Sequence, residues 1–137
     1  MNDNVIITIV SEYDNQPEGI KVSFQGNYAY RNKTHYISYE QLDEDSKEIV
    51  KNTLKLRDEE IRMIKRGDAS STMRFLKGYE HSSSYQTAVG SMQMKTYTHE
   101  LDLIENEDEI IANLLYDLYL NNQYISKCKI RINVVNN

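Results

Sequence analysis

Apolar and polar residues alternate along much of this chain with a period of two, the repeat of a half-buried β-strand. Ile20, Val22, Phe24, Tyr28 and Tyr30 fall on every second position, with Gly26 alone interrupting the row. After Asn32-Lys33 the alternation resumes with Tyr36 and, on the other parity, Ile37 and Tyr39. The pattern predicts a hairpin, Ile20 to Arg31 and Thr34 to Gln41, turned at Asn32-Lys33. Gly26 marks a bend in its first strand. Upstream, Val5, Ile7 and Ile9 alternate with Asn4, Thr8 and Glu12 in a strand from Asn4 to Tyr13. Asp14 to Gly19 is turn chemistry, because Asp and Asn accept local backbone bonds and Gly tolerates positive φ. Leu42 to Ser46 is an acidic loop whose oxygens lack calcium-loop spacing.

Two segments fit either period. Glu48 to Lys65 and Glu107 to Leu120 are rich in helix formers, and Ile110, Ile111, Leu114, Leu115 and Leu118 match a helical stripe. Ile110, Ala112, Leu114, Tyr116, Leu118 and Leu120 match a strand face equally well. The Asn121-Asn122 turn leads into a long final strand whose one face is Tyr124, Ser126, Cys128, Ile130, Ile132 and Val134. A partner of matching length directly before it tilts Glu109 to Leu120 towards strand. The middle adds short strands at Glu60 to Arg66 and Ser71 to Lys77, punctuated by Gly67-Asp68 and Gly78. A polar run, Tyr79 to Val89, turns at Gly90. Met92, Met94, Thr96 and Thr98 then alternate, and Leu101 and Leu103 follow on the opposite parity. Eight to ten strands with short turns predict an all-β, antiparallel barrel or sandwich.

Composition agrees: the 137 residues include 11 Tyr and 14 Ile but a single Pro, a balance that favours strands. That length bounds the chain to one domain, residues 1–137. The one cysteine, Cys128, excludes an internal disulfide and a Cys-based zinc site, and its apolar neighbours predict a buried, inert thiol. The start, MNDNVIITIV, has neither a basic n-region nor a span-length apolar run, so the expected compartment is the cytoplasm, without membrane contact. A net charge of −5 speaks against nucleic acid as a partner. The charge is uneven. Lys47 to Lys77 holds 9 basic against 5 acidic residues, +4, and the rest holds 7 against 16, −9. Strand edges decorated with Lys and Arg account for such a middle, as does an anionic ligand or an acidic partner.

Several stretches occur together in order: FQGNY (24–28), YISYEQ (36–41), Arg66-Gly67, Met73, Phe75, Gly78, YQTAVG (85–90) and MKTYT (94–98). In these the chain resembles the YwiB-like family of uncharacterised bacterial proteins over essentially its whole length. The resemblance implies a single lipocalin-like, or calycin-like, β-barrel, and settles the contested segments as strands. It brings no activity, ligand or catalytic residue.

Little in the chain signals catalysis. His35, His81 and His99 share no metal-binding spacing, and Ser82-Ser83-Ser84 lacks a nucleophile elbow. No phosphate-cradling glycine motif is present, and no cofactor is expected. Arg66-Gly67-Asp68 reads as a turn, and Glu105 to Glu109 as a solvated hairpin tip. The barrel itself is the candidate site, since about eight strands enclose either packed side chains or one small ligand. The expected ligand-binding residues are Tyr28, Tyr36, Glu40, Arg66, Met73, Phe75, Met94 and Thr96. Here the Tyr and Met rows form the wall and Arg66 anchors an amphipathic or anionic ligand, unless Glu40 pairs with it structurally. The expectation is a non-enzymatic binder. The alternative is a packed scaffold, a homodimer or a protein-interaction module, using Tyr39, Tyr97 or the basic middle as its contact surface.

Overall fold

Ten strands follow one another in the computed structural model, which describes residues 1–67 and 69–137 and, at Pro17, the backbone only. They are β1 (Asn4–Tyr13), β2 (Gln16–Arg31), β3 (Thr34–Leu42), β4 (Ile49–Arg57) and β5 (Glu60–Arg66). After these come β6 (Ser71–Leu76), β7 (Glu80–Thr87), β8 (Gly90–Glu105), β9 (Glu109–Leu120) and β10 (Gln123–Asn136). Both contested segments are strands, because each pairs antiparallel along its length with neighbours of similar extent. The described residues include no helix, hence none long and apolar enough to cross a membrane.

All ten strands form one antiparallel sheet in the order β6-β5-β4-β3-β2-β1-β10-β9-β8-β7. Consecutive strands pair, and β1 also pairs with β10, so two meanders join at the chain ends. Residues flanking β6 make single bridges, Ser70 to Gln86 on β7 and Lys77 to Thr98 on β8, which nearly close the sheet into a barrel. Asn32-Lys33 and Asn121-Asn122 turn their hairpins with both φ values positive, between 50° and 66°. This is the left-handed geometry that matches strand twist in two-residue loops and that Asn tolerates best. The first turn is shorter than Asp14 to Gly19: β2 already begins at Gln16. Asp68 of the Arg66-Gly67-Asp68 turn lies outside the described residues.

The barrel's two ends differ. In the half where β1 begins, the inward side chains of Val5, Ile7, Ile37, Leu56, Ile61, Phe75 and Ile132 have no exposed surface, while Tyr30 at its rim is 55% exposed. Phe75 packs on Tyr116 with ring centroids 4.8 Å apart. At the opposite, lower end β2 and β3 part. β3 pairs with β2 only over Asn27–Arg31, so the first ten residues of β2 bond to β1 alone. Gly26 sits where they separate. A Cβ there would lie 2.5 Å from the Ser38 carbonyl oxygen and 2.6 Å from Ile7 Cδ1. The bend read from the sequence is therefore a point of close strand approach.

Candidate functional site

Strand registers fix which side chains face the lumen. Thr98, Tyr116, Cys128 and Tyr13 lie opposite one another on β8, β9, β10 and β1, forming one inward row of polar groups. The next row towards the lower end runs His81, Thr96, Leu118 and Ser126. Thr96 is 2% and Thr98 0% exposed, and neither hydroxyl has a hydrogen-bond partner among the described residues. Burial, then the nearby Cys128, pushes the Tyr116 phenol well above its usual range. Cys128 itself is fully buried, with its thiol pushed up by that burial, which keeps it unreactive.

Towards the lower end Met63, Met73, Tyr85, Met92 and Leu120 are inward and half-buried, interspersed with the buried Val50, Asn52, Ser71 and Met94. Ile20 and Val22, on the parted stretch of β2, are 51% and 37% exposed. An open cleft of about 360 Å³ enters the mouth between Gln41, Val50, Lys65, Ala69 and Tyr85, beside the loop after β3. Other grooves lie on the outer wall, one along the β2–β3 parting and one between Lys77 and Lys129.

The upper end carries a polar cluster beside a second open cleft of about 370 Å³, lined by Met1, Asp3, Tyr28, Tyr30, His35 and Glu105. Tyr28 Oη lies 2.7 Å from His35 Nδ1, and His35 Nε2 faces Glu105 Oε2 at 3.2 Å across the barrel. His35 is 6% exposed and also packs on Tyr30. The members of this cluster are 7 and 70 residues apart, and Glu105, expected in a solvated hairpin tip, instead approaches His35.

Of the eight residues expected to bind ligand, Met73, Phe75, Met94 and Thr96 face the lumen, and Tyr28 faces inward in the upper polar cluster. Tyr36, Glu40 and Arg66 do not: they stand on the outer wall. The reason is register. Ile37 faces inward against Leu54 and Tyr28, which turns Tyr36, Ser38 and Glu40 out. Arg66 lies opposite Lys51, itself opposite Glu40, and its guanidinium donates to the Lys65 carbonyl at 3.2 Å. It neither anchors a lumen ligand nor pairs with Glu40. Tyr39, expected as exposed contact surface, is 7% exposed and stacks on Phe24 with centroids 4.5 Å apart. The histidines stay separate. His99 Nε2 pairs with Asp117 at 2.8 Å, and among the described residues no cluster of His, Cys, Asp and Glu could hold a metal ion.

Comparison with known proteins places this barrel in context. A family model described as "Domain of unknown function (DUF1934)" matches residues 5–132. Over 114 residues the chain is 24% identical to the "Uncharacterized beta-barrel protein YwiB" of Bacillus subtilis (strain 168), covering 83% of this chain and 79% of that protein. The crystal structure of ywiB protein from Bacillus subtilis superposes with a TM-score of 0.82 at 21% identity, over 98% of this chain and 90% of that one. That likeness is one of fold: an all-β barrel.

Proposed function

The chain belongs to the DUF1934 family, whose description names no activity, and we propose that it is a non-enzymatic barrel binding a small, largely apolar ligand through its lower mouth. The observation that carries this reading is the pair of buried, unpartnered hydroxyls of Thr96 and Thr98 behind half-buried methionines and Tyr85 at the lower end. A buried hydroxyl without a partner costs about 1–3 kcal/mol, which a ligand's own hydroxyl or carbonyl would recover. Methionine walls repack readily around such a guest. The floor groups Thr96, Thr98, Ser126, Tyr13 and Tyr116 carry no charge, and burial, then Arg74 and Arg62, favours the neutral form of His81 in the same row, so the favoured head group is neutral. The anionic variant rested on Arg66, which stands outside. Ile20 and Val22, exposed along the free half of β2, favour a second reading in which an apolar segment of a protein partner covers the parting.

Native mass spectrometry of the full chain purified from its own host tests the proposal, followed by titration with N-phenylnaphthylamine. A stoichiometric neutral molecule, or saturable fluorescence enhancement lost when Met73 or Met92 is changed to Asp, is the expected result. A bare mass together with no probe response would overturn it.

A further inference from the structure

The outer wall of β3–β6 carries a second arrangement, independent of the lumen. Registers place Tyr36 opposite Lys55, Lys55 opposite Arg62, and Arg62 opposite Arg74, in one row across four strands. With strands about 4.8 Å apart, the row spans about 14 Å and sets three cations side by side. Like charges directly opposite each other destabilise a sheet, so this row works against the fold. One carboxylate relieves part of it. Glu60 accepts from Arg62 Nε at 2.6 Å and from Arg74 Nε at 3.2 Å. Burial opposes its ionisation, but the two guanidiniums outweigh it and hold the carboxyl below its usual range. Lys55 and the neighbouring Arg57 form no ion pair among the described residues, although Asp58 and Glu59 occupy the adjoining turn. Lys55 and Arg31 instead flank the Tyr36 ring, 5.7 and 4.8 Å from its centroid. Between these groups lies an outer-wall cleft of about 170 Å³, lined by Thr34, Tyr36, Lys55, Arg57, Glu60 and Arg62.

We propose that this cleft binds the phosphate group of a small phosphomonoester. Lys55, Arg57 and Arg62 supply three separate donors to a tetrahedral oxyanion, which offers more acceptor oxygens than a carboxylate. The cleft's size suits one such group and not a nucleic-acid strand, whose binding would also oppose the net charge of −5. Glu60 competes with the ligand for Arg62 and so sets the affinity.

Calorimetric titration of the full chain with inorganic phosphate, against chloride at equal low ionic strength, tests this. Phosphate should bind saturably, about tenfold more weakly in Lys55→Gln and Arg57→Gln and unchanged in Arg66→Gln, lower on the same wall. Glu60→Gln should tighten binding several-fold, an effect a merely structural bridge does not produce. Lys55→Arg, which preserves charge and fold, should retain binding. Equal responses to phosphate and chloride would overturn the proposal. So would losses no larger in Lys55→Gln than in Arg66→Gln, or a stronger response to an oligonucleotide or an acidic peptide than to phosphate.

Discussion

Thr98→Val separates a ligand-binding floor from an ordinary core. Valine keeps the β-branched shape and strand preference of threonine, so the substitution mainly exchanges a hydroxyl for a methyl. Thr98 has no exposed surface and its Oγ1 has no partner. Removing a buried, unsatisfied hydroxyl should therefore return about 1–2 kcal/mol of stability. For a chain of 137 residues that raises the thermal midpoint by about 3–8 °C. The urea midpoint should rise by roughly 0.5–1 M at unchanged slope. In the same variant the affinity for N-phenylnaphthylamine or a co-purified ligand should fall, because the floor has lost a hydrogen-bonding group. Thr53→Val, on the outer wall in register with Ser38 and Ile64, is the control and should change neither. Thr96 lies two residues away on the same face, so the double variant should depart from additivity. A loss of stability in Thr98→Val would refute the reasoning, since it would mean the hydroxyl is already satisfied in the resting protein.

The remaining predictions concern the frame around that floor. Gly26→Val drives a side chain into the Ser38 carbonyl oxygen and Ile7 and should lower stability by about 1–3 kcal/mol, read as an earlier urea midpoint; an unchanged one would remove the close-approach assignment. Asp14 is held below its usual carboxyl range first by the Ser126 hydroxyl, 2.7 Å away, against some burial, and then by the Lys127 amide and Tyr124 hydroxyl. Its folded-state value is depressed, so the stability it contributes is present above about pH 3.8 and lost as the pH falls through that lower value. The gap in urea midpoint between the wild type and Asp14→Asn should accordingly be widest near neutral pH and close in acid; a gap that is constant with pH would contradict this. Burial pushes the Tyr39 phenol up to about 12, so Tyr39→Phe should remove part of the latest-ionising tyrosine absorbance. With its folded-state value raised, Tyr39 should also make stability decline as the pH rises past the ordinary value of 10.0.

How much of this was legible in the chain depends on the kind of information each feature needs. The alternation across 20–40 named the right pairs of faces, and the parity change between Thr98 and Leu101 is the bulge that the structure shows at Thr98 and Glu100. Alternation does not say which face is inside. Tyr36, Ser38 and Glu40 share a face as read, but Ile37 on the other parity meets Leu54 and Tyr28 and takes the lumen. Arg66 followed the same error. Period also failed to separate helix from strand at Glu109 to Leu120, where a paired β10 decides. The cross-barrel contact of His35 with Glu105 has no local signature at all, because it joins β3 to β8.

Unequal strand lengths explain why the barrel wall divides towards its lower end. β2 has 16 residues and β3 has 9, and their pairing uses only the five residues of each next to the Asn32-Lys33 turn. The upper end is thereby pinned by the hairpin, where Tyr28 Oη lies 2.7 Å from His35 Nδ1 and Glu105 approaches His35 Nε2 to 3.2 Å. Towards the lower end the surplus of β2 has no partner beyond β1, so the wall divides and the inward side chains of β2 reach solvent. Gly26 permits the strands to approach closely just before they part, which holds the opening to the lower half. A core closed at both ends would bury Met63, Met73 and Met92 as fully as Phe75. Their partial exposure, on the lower side of two buried threonine hydroxyls, sets this end apart from the core around Phe75 and is what the proposed mouth rests on.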